Sequence, residues 1–134
     1  MVWGTKNRSP VLSESIRKEL FQHIKDNAMQ KQLYIDCING HVDHVHCLIG
    51  LNADMSIAKT VQLLKGEAAF WLNKSKLIKP KFECADEYFA VSVSESQINK
   101  VRGYIQNQEE HHKKTTFTQE YESFIKTYQF KSHG

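Results

Sequence analysis

Residues 33–51 read Leu-Tyr-Ile-Asp-Cys-Ile-Asn-Gly-His-Val-Asp-His-Val-His-Cys-Leu-Ile-Gly-Leu, and this segment carries the strongest indication of the architecture. It holds two β-type runs, Leu33–Ile38 and His44–Leu51, separated by polar and glycine-containing sequence. The Asn39-Gly40 pair between the runs is typical of a hairpin turn. We expect that turn to extend through Asp43, so that the two runs pair as antiparallel strands.

Predicted helices and strands on both sides of this hairpin complete an alternating pattern. They are a strand over Val2–Thr5, a helix over about Glu14–Gln30 capped by Ser13, a helix over about Ser56–Lys74, a strand over Tyr88–Val93, a helix over about 95–112 and a last helix over about 116–130. The last two helices each begin with a capping-box pattern, at Ser94 and Thr116. The order β-α-β-β-α-β predicts the α+β class: a ferredoxin-like or RRM-like antiparallel sheet with helices on one face, followed by two C-terminal helices.

The composition is that of one small domain covering residues 1–134. A chain of 134 residues buries one modest core, and 40% hydrophobic and 25% charged residues are ordinary for a globular protein. No apolar run approaches the ~20 residues that span a bilayer. The odd number of widely spaced cysteines, Cys37, Cys47 and Cys84, favours buried or neutral thiols over a disulfide framework or a zinc site. We therefore expect a cytoplasmic protein, and its net charge of +3 permits a polyanionic partner without requiring one.

Two residue pairs are candidates for chemistry. His44 and His46 lie two residues apart on a predicted strand, so their imidazoles point to one side and can bind a single metal ion. Tyr104 and Gln108 lie one turn apart on a predicted helix and therefore share a face. Each pair alone is more often structural, as surface histidines or as a packed tyrosine. Both pairs together, in this order, favour a phosphodiester-cleaving site.

The proposed chemistry uses the phenol of Tyr104 as a nucleophile. Attack on phosphorus forms a covalent phosphotyrosine and releases a sugar hydroxyl, so the bond energy is retained and the step is reversible. A tyrosine phenol has an ordinary pKa of ~10, so a metal ion or a base has to assist. A metal ion bound by His44 and His46 can polarise the phosphate, and Gln108 offers a third, neutral oxygen. Two imidazoles and an amide suit exchangeable Mg²⁺ or Mn²⁺ better than a closed zinc site.

These residues resemble the HUH single-tyrosine transposases encoded by small bacterial insertion sequences. The similar segments cover almost the whole chain: Val2–Arg8, His41–His46 as the His-hydrophobic-His motif, Tyr104–His112 as the tyrosine helix, and Thr116–Tyr121. A bare His-x-His is a weak match, but its combination with Tyr104-x-x-x-Gln108 is strong. The Cys84–Glu87 segment departs from the pattern, because an aromatic residue and a glycine-containing turn are expected there.

The resemblance implies a function and a set of site residues. It implies a homodimer that binds subterminal DNA hairpins and cleaves and rejoins single-stranded DNA without a nucleotide cofactor. The implied metal ligands are His44, His46 and Gln108, and the implied nucleophile is Tyr104. Within a dimer, the tyrosine helix of one subunit can meet the histidine pair of the other.

Several basic residues are candidate DNA contacts, although scattered lysines are normally just a solvated surface. They are Lys6, Arg8, Lys65, Lys74, Lys76 and His111. Only the Lys74–Lys81 cluster stands out from that background. Beside the motif, Asp43 is a candidate for orienting a ligand histidine, and His41 is expected in the turn.

Two other functions remain open from the residues alone. A metal-dependent hydrolase would use His41, His44 and His46 to activate water and would not need Tyr104. A non-catalytic nucleic-acid module would bind RNA on the open face of a ferredoxin-like sheet, although Tyr88–Val93 matches the aromatic RNA-binding run of that fold poorly.

Overall fold

The computed structural model describes residues 1–78, 81–108 and 119. The elements in chain order are β1 (Val2–Thr5), a 3-10 turn (Lys6–Arg8), α1 (Glu14–Gln30), β2 (Tyr34–His41), β3 (His44–Gly50), α2 (Ile57–Ser75), β4 (Cys84–Phe89), a 3-10 turn (Glu95–Gln97) and α3 (Ile98–Gln106). The C-terminal helix predicted over 116–130 lies outside the described residues, apart from the single position 119.

The four strands form one antiparallel sheet in the order β2-β3-β1-β4. The order along the chain is β-α-β-β-α-β, so the predicted α+β fold is confirmed. Ser13 and Ser56 begin α1 and α2 as N-caps, and their side chains accept hydrogen bonds from the amides of Ile16 and Lys59. None of the helices in the described part of the chain is long and apolar enough to cross a membrane.

The core lies between one face of the sheet and the helices α1 and α2. Its main side chains are Trp3 from β1, Leu20 and Ile24 from α1, Val45 and Cys47 from β3, and Leu64 and Leu72 from α2. Side chains alternate along β3, so His44 and His46 lie on the opposite face from Val45 and Cys47. That opposite face is where α3 contacts β2 and β3. The prediction of helices on one face is thus met by α1 and α2, while α3 lies on the other.

The central hairpin is tighter than the sequence suggests. The prediction that the turn begins at Asn39-Gly40 is wrong, because β2 continues through both residues to His41 and pairs with β3 up to His44. Only Val42 and Asp43 connect the strands. A Cβ atom at Gly40 would collide with the carbonyl oxygen of His44, so the glycine is needed in the strand for close approach of two backbones rather than for a turn.

The last strand begins four residues earlier than its apolar run. The predicted bounds Tyr88–Val93 are wrong, because β4 spans Cys84–Phe89 and shares only Tyr88 and Phe89 with them. The Cys84–Glu87 segment, where the family pattern has a glycine-containing turn, belongs to the strand. The strand is held in part by a side chain of α2: the Lys65 ammonium group donates a 2.6 Å hydrogen bond to the carbonyl oxygen of Ala85. Antiparallel pairing with β1 and this hydrogen bond therefore hold the edge strand in place.

The helix that carries the candidate tyrosine also begins differently. The capping box predicted at Ser94 does not form, since Ser94 makes no side-chain cap and its hydroxyl lies 3.2 Å from that of Ser96. A 3-10 turn follows, and α3 begins at Ile98 instead of near residue 95. The second predicted capping box, at Thr116, lies outside the described residues.

The three cysteines are free thiols, as predicted. Burial raises the pKa of the Cys47 thiol to about 12 and that of Cys84 to about 11. Burial also raises the pKa of Cys37. All three are therefore neutral at physiological pH and are poor nucleophiles and poor metal ligands in that state.

Candidate active site

The two histidines of β3 form one compact pair on the α3 face of the sheet. Their ring centroids are 5.1 Å apart, with an interplanar angle of 80°. The relative exposure of His44 is 0% and that of His46 is 4%, so these are not surface histidines. The same-face arrangement that the two-residue spacing predicts is therefore present, and the surroundings exclude bulk water from the pair.

The helix α3 and the residues directly after it bring the second predicted pair to the first. Nε2 of His44 lies 3.1 Å from Oε1 of Gln108, which is fully buried. The ring of Tyr104 stands edge-on to that of His46, with centroids 5.6 Å apart. The Gln108 amide group also donates to the carbonyl oxygen of Tyr104, at 3.2 Å, which fixes the amide between the tyrosine turn and the histidines. Tyr104 is 37% exposed, so its side chain is both packed and reachable.

Asp43 orients the first histidine. Nδ1 of His44 lies 2.9 Å from Oδ1 of Asp43. A carboxylate only accepts hydrogen bonds, so this contact requires the tautomer in which Nδ1 is protonated and donates a hydrogen bond to Asp43. The ring is thereby turned so that Nε2 faces Gln108, which is the arrangement by which carboxylates prepare histidines for metal binding.

The donors that converge here fit a divalent metal ion. They are two imidazoles and one neutral amide oxygen, and the nearest pair of donor atoms is the 3.1 Å contact between His44 and Gln108. Three protein donors would leave coordination positions of such an ion open for other ligands.

Comparison with known proteins now identifies the family. Residues 1–108 match the family described as Transposase IS200 like. The chain belongs to this family. One similar solved structure is the crystal structure of a candidate transposase from Deinococcus radiodurans R1. The two sequences are 28% identical, and the structures match with a TM-score of 0.62 over 80% of this chain and 86% of that one. A search among proteins of curated function found no match. This IS200-like transposase therefore acts on DNA, and the residues around His44, His46 and Tyr104 are its candidate active site.

The third histidine of the motif, His41, does not form a metal-binding cluster with His44 and His46. His41 was expected in the turn, but it is the last residue of β2 and lies directly opposite His44 in the strand register. Within residues 1–78, 81–108 and 119, no group of three His, Cys, Asp or Glu side chains could hold a metal ion. The His41-His44-His46 triad that a water-activating hydrolase requires is therefore not assembled.

The candidate DNA contacts of the transposase have varied surroundings. Lys65, Lys74 and Lys76 belong to α2 or its C-cap, and that helix packs on the far face of the sheet from the histidines. The Lys65 ammonium group is bound to β4, and that of Lys6 forms a 2.9 Å ion pair with Glu83. Arg8 lies in the 3-10 turn after β1, and His111 is outside the described residues. Their role in DNA binding stays a prediction.

Sequence reasoning missed two charged residues that hold the tyrosine helix of the transposase. Nε of Arg102 donates to Oδ1 of Asp36 at 2.7 Å, and a terminal nitrogen of the same guanidinium donates to Oδ2 at 2.6 Å. The hydrogen bond from Arg102 holds the pKa of Asp36 below its ordinary value, so the pair is charged at neutral pH. Nearby, the Asn39 amide donates to the carbonyl oxygen of Gln106 at 3.1 Å. Since 66 positions separate Asp36 from Arg102, no local pattern could have indicated their contact.

Proposed function

We propose that this transposase cleaves and rejoins single-stranded DNA through a covalent 5′-phosphotyrosine at Tyr104. The phenol oxygen forms a new ester bond to phosphorus, the bond from phosphorus to the 3′ oxygen breaks, and that oxygen leaves as a hydroxyl after taking up a proton. Attack by the 3′ hydroxyl of another strand end reverses the bond exchange, so rejoining needs no nucleotide cofactor. The observation that carries the proposal is that α3 and the residues directly after it contact both histidines, through Tyr104 at His46 and Gln108 at His44.

We further propose that His44, His46 and Gln108 hold a divalent metal ion, Mg²⁺ or Mn²⁺. When bound, such an ion supplies charge neutralisation for the attacked phosphate. The side chains contribute the rest. Asp43 keeps Nε2 of His44 directed at the site, and the buried surroundings of the pair limit competition from water. Packing of the Tyr104 ring against His46 restricts the phenol to a small range of positions.

The partner we propose is single-stranded DNA with subterminal hairpins, bound by a homodimer. The family supports a DNA substrate. The sheet supports a dimer, since β2 and β4 are its outer strands and unpaired strand edges are templates for pairing with a second chain.

Two variants test the mechanism together. Tyr104→Phe keeps the aromatic ring against His46 and removes only the nucleophilic oxygen. His44→Ala removes a metal ligand and keeps the nucleophile. With labelled single-stranded hairpin DNA and Mn²⁺, we expect no covalent adduct from either variant. Calorimetric titration should show unchanged Mn²⁺ affinity for Tyr104→Phe and at least about tenfold weaker binding for His44→Ala, the loss typical of a perturbed metal shell.

The two readouts separate the competing functions. Strand cleavage at the normal rate by Tyr104→Phe would sink the nucleophile assignment and favour a water-activating hydrolase. Equal Mn²⁺ affinity of wild type and His44→Ala would show that the histidine pair serves packing instead. Binding of the hairpin by both variants confirms that each is folded and that the loss lies in the chemistry.

A further inference from the structure

We propose that Asp36 and Arg102 are positioning residues, whose ion pair seats α3 on the sheet and thereby places Tyr104 against His46. The inference rests on the proposed function, in which Tyr104 is the nucleophile. The hydrogen bonds that join Asp36 and Arg102 do not involve the histidines. Their effect is on the helix that carries the tyrosine.

A bulge in β2 explains why Asp36 reaches the helix. The pairing of β2 with β3 runs from Ile35 opposite Ile49 to Cys37 opposite Leu48, so Asp36 is the extra residue at a register shift. A bulge releases its residue from the regular ladder and re-aims the side chain. Here the carboxylate turns to the side of the sheet that α3 covers and accepts two hydrogen bonds from one guanidinium.

The position of Arg102 along α3 makes this contact effective. Arg102 and Ile105 are three residues apart, so they are neighbours on one side of α3, and Gln108 lies two residues beyond the end of the helix. Ile105 is the only buried residue that α3 contributes among its nine described residues. Within the helix Arg102 is bound to Asp36 of β2, and just beyond its end Gln108 contacts His44 of β3.

With a single buried apolar residue in α3, the contact of Arg102 with Asp36 contributes strongly to fixing the rotation of the helix about its own axis. A two-point, fork-to-carboxylate contact restricts orientation more than a single ion pair does. Loss of the contact between Asp36 and Arg102 would let α3 rotate about Ile105 and carry Tyr104 away from His46. A displacement of one ångström at a reacting group costs up to ~100-fold in rate.

The first measurement is the rate of adduct formation. In Arg102→Gln, we expect the single-turnover rate at saturating DNA and Mn²⁺ to fall about 10- to 100-fold, with unchanged affinity for DNA. The charge-swapped protein, with Asp36→Arg and Arg102→Asp together, should recover part of the lost rate. Lys18→Gln is the matched control, since Lys18 is a highly exposed cation at 3.9 Å from Glu14 of its own helix. It should react at the wild-type rate.

The second measurement reports the seating of α3 without any DNA. Cys37 is buried and alternates with the core residue Ile38, so its thiol lies on the α3 face, whereas Cys47 lies in the core. In a Cys84→Ser background, Arg102→Gln should label faster at Cys37 with a thiol reagent, while Cys47 stays protected. Burial and the Asp36 carboxylate raise the pKa of the Cys37 thiol and the charge of Arg102 opposes that rise, so loss of the charge alone would slow labelling. Faster labelling therefore reports opening of the helix.

The outcomes are distinguishable. Unchanged labelling of Cys37, or faster labelling with a wild-type adduct rate, overturns the positioning role. If Cys37 labels faster but the wild-type protein forms no adduct, the seating of α3 by the ion pair stands and the proposed function is what fails. If Cys47 labels as fast as Cys37, the variant has unfolded. In that case the same labelling and rate measurements are made on Arg102→Lys, which keeps the positive charge but loses the two-point hydrogen bonding of the guanidinium.

Discussion

At the scale of the residue, Gly40 determines where His44 can lie. A Cβ atom there would meet the carbonyl oxygen of His44 and the Cα of Val45, both of them backbone atoms of the facing strand. Backbone cannot move aside as a flexible side chain can. We expect Gly40→Ala to lower the free energy of unfolding by about 1–3 kcal/mol, as overpacking usually does, and to weaken Mn²⁺ binding by displacing His44.

Gly50→Ala is the matched control in the same hairpin. The added Cβ would lie 3.2 Å from a ring carbon of Tyr34, a side chain that is mostly exposed and free to turn away. Urea unfolding and calorimetric titration of both variants check the prediction. Equal losses of stability, or full Mn²⁺ affinity in Gly40→Ala, would show that the strands separate there without moving His44.

Residue spacing could predict the site only where geometry repeats along an element. The period of two in a strand brings His44 and His46 together, and the helical turn brings Tyr104 and Gln108 together, so both pairs are readable from the sequence. The close approach at Gly40 is not readable in this way. It depends on which residue of β3 lies opposite, and the strand register fixes that only after folding.

At the scale of the element, α3 is a short helix with a glycine in its middle. Gly103 and Gly66 are both exposed helical residues, and a Cβ atom at either would meet nothing within 4 Å. Alanine should therefore stabilise each helix by up to ~1 kcal/mol. We expect Gly103→Ala to slow amide hydrogen exchange in α3 by up to about fivefold.

Gly66→Ala supplies the comparison, because it should slow exchange in α2 alone. Adduct formation should stay at the wild-type rate in Gly66→Ala. If Gly103→Ala also slows exchange in α2, or leaves α3 unchanged, then α3 does not open as a local unit and its glycine has another role.

The elements also show why part of the fold escaped prediction. The helices α1 and α2 carry a clear apolar period and a serine cap, and their predicted bounds are close to those observed. The strand β4 has no such signal, since its segment Cys-Ala-Asp-Glu-Tyr-Phe is largely exposed at the sheet edge. Its position follows from contacts distant in sequence, which are the antiparallel pairing with β1 and the hydrogen bond from Lys65 to Ala85. Tertiary contacts override local pattern most easily at an edge strand.

At the scale of the whole molecule, the mild net charge of +3 limits how DNA is held. We expect the transposase to prefer a single-stranded hairpin over plain duplex and to bind more weakly as salt rises. The slope of log affinity against log salt is about 0.7 for each phosphate neutralised on a single strand. If Lys74 contacts a phosphate, Lys74→Gln should reduce that slope by about this amount.

Filter binding over a range of salt concentrations checks the expectation. Lys18→Gln again serves as the control, since it removes an exposed charge that has no predicted contact with DNA. Tighter binding of unstructured duplex than of the hairpin would contradict the substrate that we propose.

The alternation along β3 has a consequence for how this gene can change. Core and site occupy opposite sides of one strand, with Val45 and Cys47 on one side and His44 and His46 on the other. Loss or gain of one codon within the strand would exchange the two sets, placing imidazoles in the core and a valine in the site. Substitutions can damage stability and chemistry separately, but a one-codon length change here must damage both at once. Natural length variation is therefore expected outside His44–Gly50, in the connections that join the strands and helices.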